Sequence, residues 1–108
     1  MIVATNVPSR SVRLTVERGG HEVGHAWLYF IRSDLHNRPY GLLEDVWIDP
    51  HFQSNEHEMS LVRCVMRQAK DEGCYRLVVT SRTEKQKVHE LYKSLGFTIH
   101  GYEFQIDF

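Results

Sequence analysis

The spacing of apolar residues changes at Pro50. Before it, apolar and polar residues alternate over Ser11–Glu17, Val23–Ile31 is apolar on both faces, and Leu42–Asp49 is rich in β-branched and aromatic residues. Alternation with period two is typical of a half-buried strand, and a run that is apolar on both faces indicates a strand inside a sheet. Because Gly19–Gly20 supplies a tight turn, the first two strands are predicted to form an antiparallel hairpin.

After Pro50 the apolar residues recur at helical spacing. The pattern predicts a helix over about Glu56–Glu72, a short buried strand over Tyr75–Ser81 and a second helix over about Glu84–Leu95. A strand, helix, strand order of this length implies a crossover to a parallel neighbouring strand. The alternating tail, Phe97–Phe108, is predicted to form one bent strand or a short hairpin. The expected fold is therefore α/β (α+β), a mixed central β-sheet with helices packed on it.

Length and charge favour one globular domain over residues 1–108. The chain has 13 Lys and Arg against 14 Asp and Glu, a formal net charge of -1. Proteins that bind nucleic acid electrostatically usually carry a strongly basic face, so no nucleic-acid partner is expected. The first residues contain neither a basic segment nor a long apolar run, so no signal peptide or membrane partner is expected and the expected location is cytoplasmic. Cys64 and Cys74 match neither a zinc pattern nor a disulfide framework, and both are expected to be reduced.

Three segments carry a resemblance to a known family. They are Leu43–Pro50, which leads into a polar loop and a helix, the strand segment Gly73–Ser81, and Val88–Phe97, in which Tyr92 is followed after two residues by Leu-Gly-Phe. Together they resemble the GNAT superfamily of acyl-CoA-dependent N-acetyltransferases, over residues 11–108. The resemblance implies an N-acetyltransferase that moves an acetyl group from acetyl-CoA to a primary amine, carried by a small molecule or a peptide.

The resemblance also implies roles for individual residues. Glu44 matches the position of a base that acts directly or through water, and Tyr92 matches a tyrosine that protonates the departing thiolate. In this family, backbone N–H groups at a strand bulge polarise the thioester oxygen, and the matching residues here are Val46, Trp47 and Ile48. Lys85 matches a polar contact to the cofactor. A structural alternative stays open for each residue: Glu44 as a solvated strand residue and Tyr92 as a core aromatic. Asp45 is the alternative carboxylate to Glu44.

The loop expected to hold the CoA pyrophosphate departs from the family pattern. The matching cofactor-binding residues are Gln53, Ser54, Asn55, Glu56, His57 and Glu58. Glu56 and Glu58 stand where the family has glycine or alanine, and a carboxylate repels a phosphate charge by about 1 kcal/mol at 4 Å in water. Asn55 and Glu58 also have capping-box spacing, in which the protein's own carboxylate takes the place of an anion. The alternative function is therefore a catalytically inactive binding or regulatory module that has lost CoA binding.

The segment before the first strand is a second departure. Family members usually have two N-terminal helices that wall the acceptor site, and the short segment here predicts that these helices are absent. A homodimer in which the neighbouring chain supplies this wall is a further alternative. His21 and His25 have the spacing of two metal ligands on a helix, but they lie on a turn and a strand, so no metal site is predicted.

Overall fold

A computed structural model of the chain describes residues 1–52 and 55–108, and these ranges contain four strands and two helices. In chain order the elements are β1 (Arg10–Arg18), β2 (His21–Ile31), β3 (Tyr40–Ile48), α1 (Asn55–Asp71), β4 (Leu77–Val79) and α2 (Gln86–Ser94). Each helix and strand predicted up to residue 95 is present, with its ends shifted by a few residues. The mixed α+β fold expected from the hydrophobic periods is thus confirmed.

The strands form one mixed sheet in the order β1-β2-β3-β4. β1 pairs antiparallel with β2, β2 pairs antiparallel with β3, and β3 pairs parallel with β4. Gly19 and Gly20 make the turn between the first two strands with φ values of 55° and 80°, a region that favours glycine. β2 lies between β1 and β3, and its face with Ala26, Leu28 and Phe30 is buried, whereas Tyr29 on the other face is 36% exposed.

The core forms where α1 packs across the sheet. The apolar residues of α1 recur at helical spacing, so one stripe of the helix meets the buried residues of the sheet and of α2. The contributors are Leu61, Val62, Val65 and Ala69 from α1, Ala26, Leu28 and Phe30 from β2, Leu43 and Ile48 from β3, and Leu91 and Tyr92 from α2. Packing is close at Gly41, because a Cβ there would lie 3.0 Å from both Leu28 Cδ1 and Leu77 Cδ1.

Both helices end on a glycine in the left-handed region. Gly73 has a φ of 86° and Gly96 a φ of 99°. At each end, two successive N–H groups donate to carbonyls of the last helical turn; the pairs are Gly73 to Lys70 (3.1 Å), Cys74 to Ala69 (3.0 Å), Gly96 to Lys93 (3.0 Å) and Phe97 to Tyr92 (3.0 Å). This is the Schellman arrangement, which satisfies carbonyls that have no partner inside the helix. The Leu-Gly-Phe sequence after Tyr92 therefore has a structural role, since it ends α2.

The strand or hairpin predicted over Phe97–Phe108 is wrong. Residues 97–108 adopt no strand, and the side chains of their alternating apolar positions are exposed, namely Ile99, Tyr102, Phe104, Ile106 and Phe108. An alternating pattern produces a strand only where a neighbouring strand pairs with it, because an isolated extended segment leaves its backbone unpaired.

Residues 1–9 contain no helix. Neither α1 nor α2 is long and apolar enough to cross a membrane.

Candidate functional site

The candidate site lies along β3, at the point where β4 stops. The pairing of β3 with β4 covers Gly41 to Leu43 on one strand and Leu77 to Val79 on the other, whereas β3 itself continues to Ile48. The second half of β3 therefore has a neighbouring strand, β2, on one side only. A cleft of about 260 Å³ opens at the other side, between the end of β3, the segment after β4 and the starts of both helices.

A bulge separates the two halves of β3. Trp27 of β2 pairs with Glu44 and His25 pairs with Trp47, so a single residue of β2 lies opposite both Asp45 and Val46. Asp45 has a φ of 52° and is the only non-glycine residue with a positive φ among those described. The left-handed region costs an L-residue about 1–2 kcal/mol, although Asp and Asn tolerate it best. Two residues opposite one is the pattern of a β-bulge, which bends a strand and re-aims its groups.

The bulge reverses the direction of the backbone N–H groups. Before it, the N–H of Gly41 donates to the carbonyl of Arg76 beside β4, at 2.8 Å; after it, the N–H of Asp49 donates to the carbonyl of Val23 beside β2, also at 2.8 Å. Because N–H direction alternates along a strand, Val46 and Ile48 direct their N–H groups to the open side. The same alternation turns the N–H of Trp47 toward β2, so two of the three predicted backbone donors face the side of the cleft.

Five of the predicted site residues line this cleft together. They are Glu44, Val46, Glu58, Lys85 and Tyr92. β3 supplies the first two, the first turn of α1 supplies Glu58, and α2 supplies Tyr92 with Lys85 at its start. Residues that are distant in the sequence thus converge because the two helices both begin beside the open half of β3. Arg82, which is not among the predicted binding residues, also lines the cleft. The position of a basic residue directly after the predicted strand, Tyr75–Ser81, is the signal that could have indicated Arg82.

The phenol of Tyr92 lies at the base of the cleft and is protonated at neutral pH. The side chain is 9% exposed, and the ring of Phe97 packs edge-on against it at a centroid distance of 5.4 Å. Burial, with a smaller contribution from the nearby charges of Glu58 and Glu44, raises the pKa of Tyr92 to about 12. A buried phenol that keeps its proton can donate a hydrogen bond or a proton to an anion formed beside it.

Charges of both signs surround the cleft. Glu44 and Glu58 bring carboxylates, and both raise the pKa of Tyr92, which places them within electrostatic range of its hydroxyl. Arg82 and Lys85 bring positive charge on the side formed by the segment after β4 and the start of α2. The cleft can therefore take a proton on its carboxylates and attract an anion on its basic side.

Other predicted cofactor-binding residues lie away from this cleft. Glu56 is exposed. His57 and Ile48 line a second, smaller cleft of about 170 Å³ beside β1 and β2, and Nδ1 of His57 donates to the carbonyl of Phe52. The indole of Trp47 packs beside the His25 ring at a centroid distance of 5.3 Å. The predictions for Gln53 and Ser54, and for the side chain of Asn55, fall outside the described residues.

A contact between β2 and the bulge of β3 was not predicted, and it involves Asp45, which also lines the cleft. Nε2 of His25 lies 3.1 Å from Oδ2 of Asp45, across the place where the register of β2 and β3 shifts. The two residues are 20 positions apart, and neither the period of β2 nor that of β3 indicates a contact between them. Only the pairing register of the two strands brings them together.

Comparison with known families agrees with this geometry. The sequence matches the family model of the acetyltransferase (GNAT) family over residues 5–97. The chain belongs to the GNAT family. The resemblance carried by the β3 segment and by the end of α2 is thereby confirmed. A search among curated proteins finds no match to the chain.

Solved structures of acetyltransferases and of a transcriptional regulator share the fold. An acetyltransferase from Trypanosoma brucei superposes with a TM-score of 0.80 at 25% sequence identity, covering 91% of this chain and 69% of that one. Glucosamine-6-phosphate N-acetyltransferase from Arabidopsis thaliana gives a TM-score of 0.79 at 21% identity, with 91% and 67% covered. A transcriptional regulator from Bacillus halodurans C-125 gives 0.83 at 18% identity, with 91% and 66% covered. The chain thus matches about two thirds of the length of each of these structures.

Proposed function

We propose that this GNAT protein is an N-acetyltransferase that moves an acetyl group from acetyl-CoA to a primary amine. The observation that carries the proposal is the placement of Glu44 and Tyr92 on one cleft, beside the bulge that turns the N–H of Val46 away from β2. Amine acetylation requires a proton acceptor, a donor to the carbonyl oxygen and a proton donor for the leaving thiolate. The cleft offers one group of each kind.

The roles follow from the position of each group. Acetyl-CoA supplies the acetyl group as a thioester, and the amine nitrogen forms a bond to its carbonyl carbon as the carbon–sulfur bond breaks. Glu44 takes the proton that the nitrogen loses, directly or through water. The N–H group of Val46, which lines the cleft, stabilises negative charge on the carbonyl oxygen. Tyr92 gives its phenolic proton to the thiolate, and proton exchange with solvent restores the phenol.

The residues around the cleft fit CoA in part. Arg82 and Lys85 provide positive charge for its phosphates, and backbone N–H groups on β3 provide hydrogen-bond donors for its amide arm. Glu58 opposes this, because its carboxylate also lines the cleft. Glu56 is exposed and does not line it. Of the two glutamates that replace glycine or alanine in the phosphate loop, it is therefore Glu58 that brings a carboxylate to the cleft.

The test begins with calorimetric titration of the protein with acetyl-CoA and with CoA, followed by acetyl transfer to a panel of primary amines. A dissociation constant in the micromolar range, about -8 kcal/mol, is expected. For an accepted amine, Glu44→Gln and Tyr92→Phe are each expected to lower kcat about 100-fold or more, the usual size of a proton-transfer contribution. Transfer at the wild-type rate in both variants would show that the assigned roles are wrong.

A second candidate function is a binding or regulatory module that keeps the GNAT fold without binding CoA. The observation that favours it is the carboxylate of Glu58 in the cleft. This candidate predicts no heat and no thermal stabilisation with acetyl-CoA at millimolar concentration. Glu58→Gly should then restore binding, whereas the matched variant Glu56→Gly should not, because Glu56 does not line the cleft. Binding by the unmodified chain would reject this candidate.

A further inference from the structure

The conformation of Asp45 requires something to hold it. Asp45 sits within the register shift of β2 and β3 and has a φ of 52°, a value that a strand residue does not normally adopt. Unusual backbone conformations persist when the surrounding structure over-determines them. The carboxylate of Asp45 contacts the neighbouring strand, where its Oδ2 lies 3.1 Å from Nε2 of His25.

His25 contacts the first residue of the bulged pair, Asp45, and the residue that follows the pair, Trp47. Its Nε2 faces the carboxylate of Asp45, and its ring packs beside the indole of Trp47 with centroids 5.3 Å apart. The His25 side chain is 18% exposed, so it is held between these neighbours rather than free in solvent. His25 also belongs to β2, the strand that pairs with the bulged part of β3. It therefore links β2 to β3 at the point where the extra residue enters.

In the part of the chain that the structure describes, the other ring nitrogen of His25 has no hydrogen bond that competes with the contact to Asp45. Nδ1 is buried and makes no hydrogen bond with the described residues. The nearest acid, Glu22, keeps its Oε2 at 3.8 Å and is occupied by Arg13, whose guanidinium donates to both Glu22 oxygens at 2.6 and 2.8 Å. Arg13 accordingly holds the pKa of Glu22 below its usual range. Because a carboxylate only accepts, Nε2 of His25 donates the hydrogen bond and Asp45 accepts it.

The direction of the N–H groups depends on this bulge. Pairing with β4 fixes the alternation up to Leu43, and Gly41 already donates toward β4. If β3 continued without the extra residue, the same alternation would turn the N–H groups of Val46 and Ile48 toward β2, where they would join the ladder. The open side would then lose both donors.

We propose that His25 and Asp45 are a positioning pair, in which the His25–Asp45 hydrogen bond fixes the bulge of β3 and so directs the Val46 and Ile48 N–H groups toward the acyl donor. The structural part of this inference stands on the register and hydrogen bonds alone. The catalytic consequence rests on the proposed acetyl transfer. Neither residue is assigned a contact with the reacting atoms.

Amide hydrogen exchange tests the structural part without any substrate. The variants are His25→Phe, which keeps a ring beside Trp47 but removes the donor, and Asp45→Ala, which removes the acceptor and disfavours a positive φ. Asp45→Asn is the matched variant, because asparagine tolerates the left-handed region and its side-chain oxygen can accept from His25. Exchange of the Val46 and Ile48 amides is expected to slow by about tenfold or more in the first two variants as these groups join the ladder. Unchanged exchange in both folded variants would overturn the proposal.

Steady-state kinetics test the catalytic part. With a common amine acceptor, His25→Phe and Asp45→Ala are expected to lower kcat by about 10- to 100-fold, the cost of displaced oxyanion donors, with the KM for the amine nearly unchanged. Asp45→Asn should recover most of this loss. A rise in the KM for the amine at unchanged kcat would show instead that Asp45 contacts the acceptor, and equal losses in the Asn and Ala variants would show that the hydrogen bond is not what matters.

The two readouts separate failure of this inference from failure of the proposed function. If the wild-type protein transfers no acetyl group but the exchange of Val46 and Ile48 slows as expected, the positioning pair is supported and the enzyme assignment is rejected. If transfer is normal and neither exchange nor kcat responds, the pair is rejected and the enzyme assignment stands. Near-ultraviolet circular dichroism of each variant establishes that it is folded before either result is read.

Discussion

The two halves of β3 have the same neighbour on one side and different surroundings on the other. Tyr40–Leu43 lies between β2 and β4, and its Gly41 and Leu43 are buried under α1. The half from Asp45 to Ile48 pairs only with β2, contains a bulge and borders the cleft. The first half pairs its backbone N–H and C=O groups with β2 and β4, whereas the second half directs some of its N–H groups to the open side. One strand thus serves as scaffold and as site because its neighbour, β4, is three residues long.

The two ends of each helix also differ in their surroundings. Their C-terminal ends are closed by Gly73 and Gly96, whose N–H groups satisfy the last carbonyls. Their N-terminal ends bring Glu58 and Lys85 to the cleft. In α1 the closed end and the end beside the cleft are therefore separate, whereas in α2 the last turn also carries Tyr92, so its closed end borders the cleft as well. This difference predicts which substitutions should change stability and which should change binding.

The largest expected effect is on the paired half of β3. Leu43 is 1% exposed, and Leu43→Ala should lower the free energy of unfolding by about 2–5 kcal/mol, because it removes buried methyl groups and leaves a cavity. Val46→Ala, in the open half, is the matched variant and should cost less, since Val46 is only half-buried. Urea unfolding of the three proteins measures both values. Equal losses would mean that the two halves do not differ as described.

A second prediction concerns the pH dependence of stability at the cleft. Burial raises the pKa of Tyr92 to about 12, whereas the unfolded chain has a tyrosine pKa near 10. This contribution to stability is complete below about pH 10 and is lost as pH rises toward 12, because the unfolded state releases its proton first. A shift of two units corresponds to about 2–3 kcal/mol.

Tyr92→Phe isolates that contribution. The free energy of unfolding of both proteins is measured from about pH 9 to about pH 11.5, and the wild-type value should fall more steeply than that of the variant. The difference removes the titration of all other groups, which both proteins share. Parallel curves for the two proteins would show that Tyr92 titrates normally and is not held as a neutral phenol in the cleft.

The sequence allowed most of the fold to be predicted, because hydrophobic period reports which side of each element is buried. The change of period at Pro50, the apolar run in β2 and the glycine at the end of α1 are all local signals, and each corresponds to an observed feature. The tail is the exception. Its alternation has the local form of a strand, but a strand also needs a neighbour, and period carries no information about neighbours.

The site could be predicted only where a residue belongs to a recognisable segment. Glu44 and Tyr92 lie within the segments that carry the family resemblance, and both line the cleft. The bulge at Asp45 and its contact with His25 could not be predicted, because register is a relation between two strands and does not show in either one. Lys85 and Lys87 look alike in sequence, yet only Lys85 lines the cleft.

A third prediction compares the two glycines that end the helices. Gly73→Ala and Gly96→Ala should each lower the free energy of unfolding by about 1–2 kcal/mol, since alanine at a positive φ is strained. Only Gly96→Ala should also change acetyl-CoA binding or transfer, because the N–H of Phe97 bonds to the carbonyl of Tyr92 and the two rings are in contact. Urea unfolding and calorimetry of both variants test this. A binding defect in Gly73→Ala equal to that in Gly96→Ala would contradict the link between this helix end and the cleft.

The smallest expected effect concerns the charges of the cleft. Lys85→Gln should weaken acetyl-CoA binding and Glu58→Gln should strengthen it, each by about fivefold, since one charge pair at 4 Å in water is worth about 1 kcal/mol. Lys87→Gln is the matched control: it makes the same change of net charge, but Lys87 is exposed and does not line the cleft. Salt should reduce the effects at Lys85 and Glu58, because both charges are accessible to screening ions. If Lys87→Gln weakened binding as much as Lys85→Gln, the attraction would come from the net charge of the protein, and the open half of β3 would have no electrostatic preference of its own.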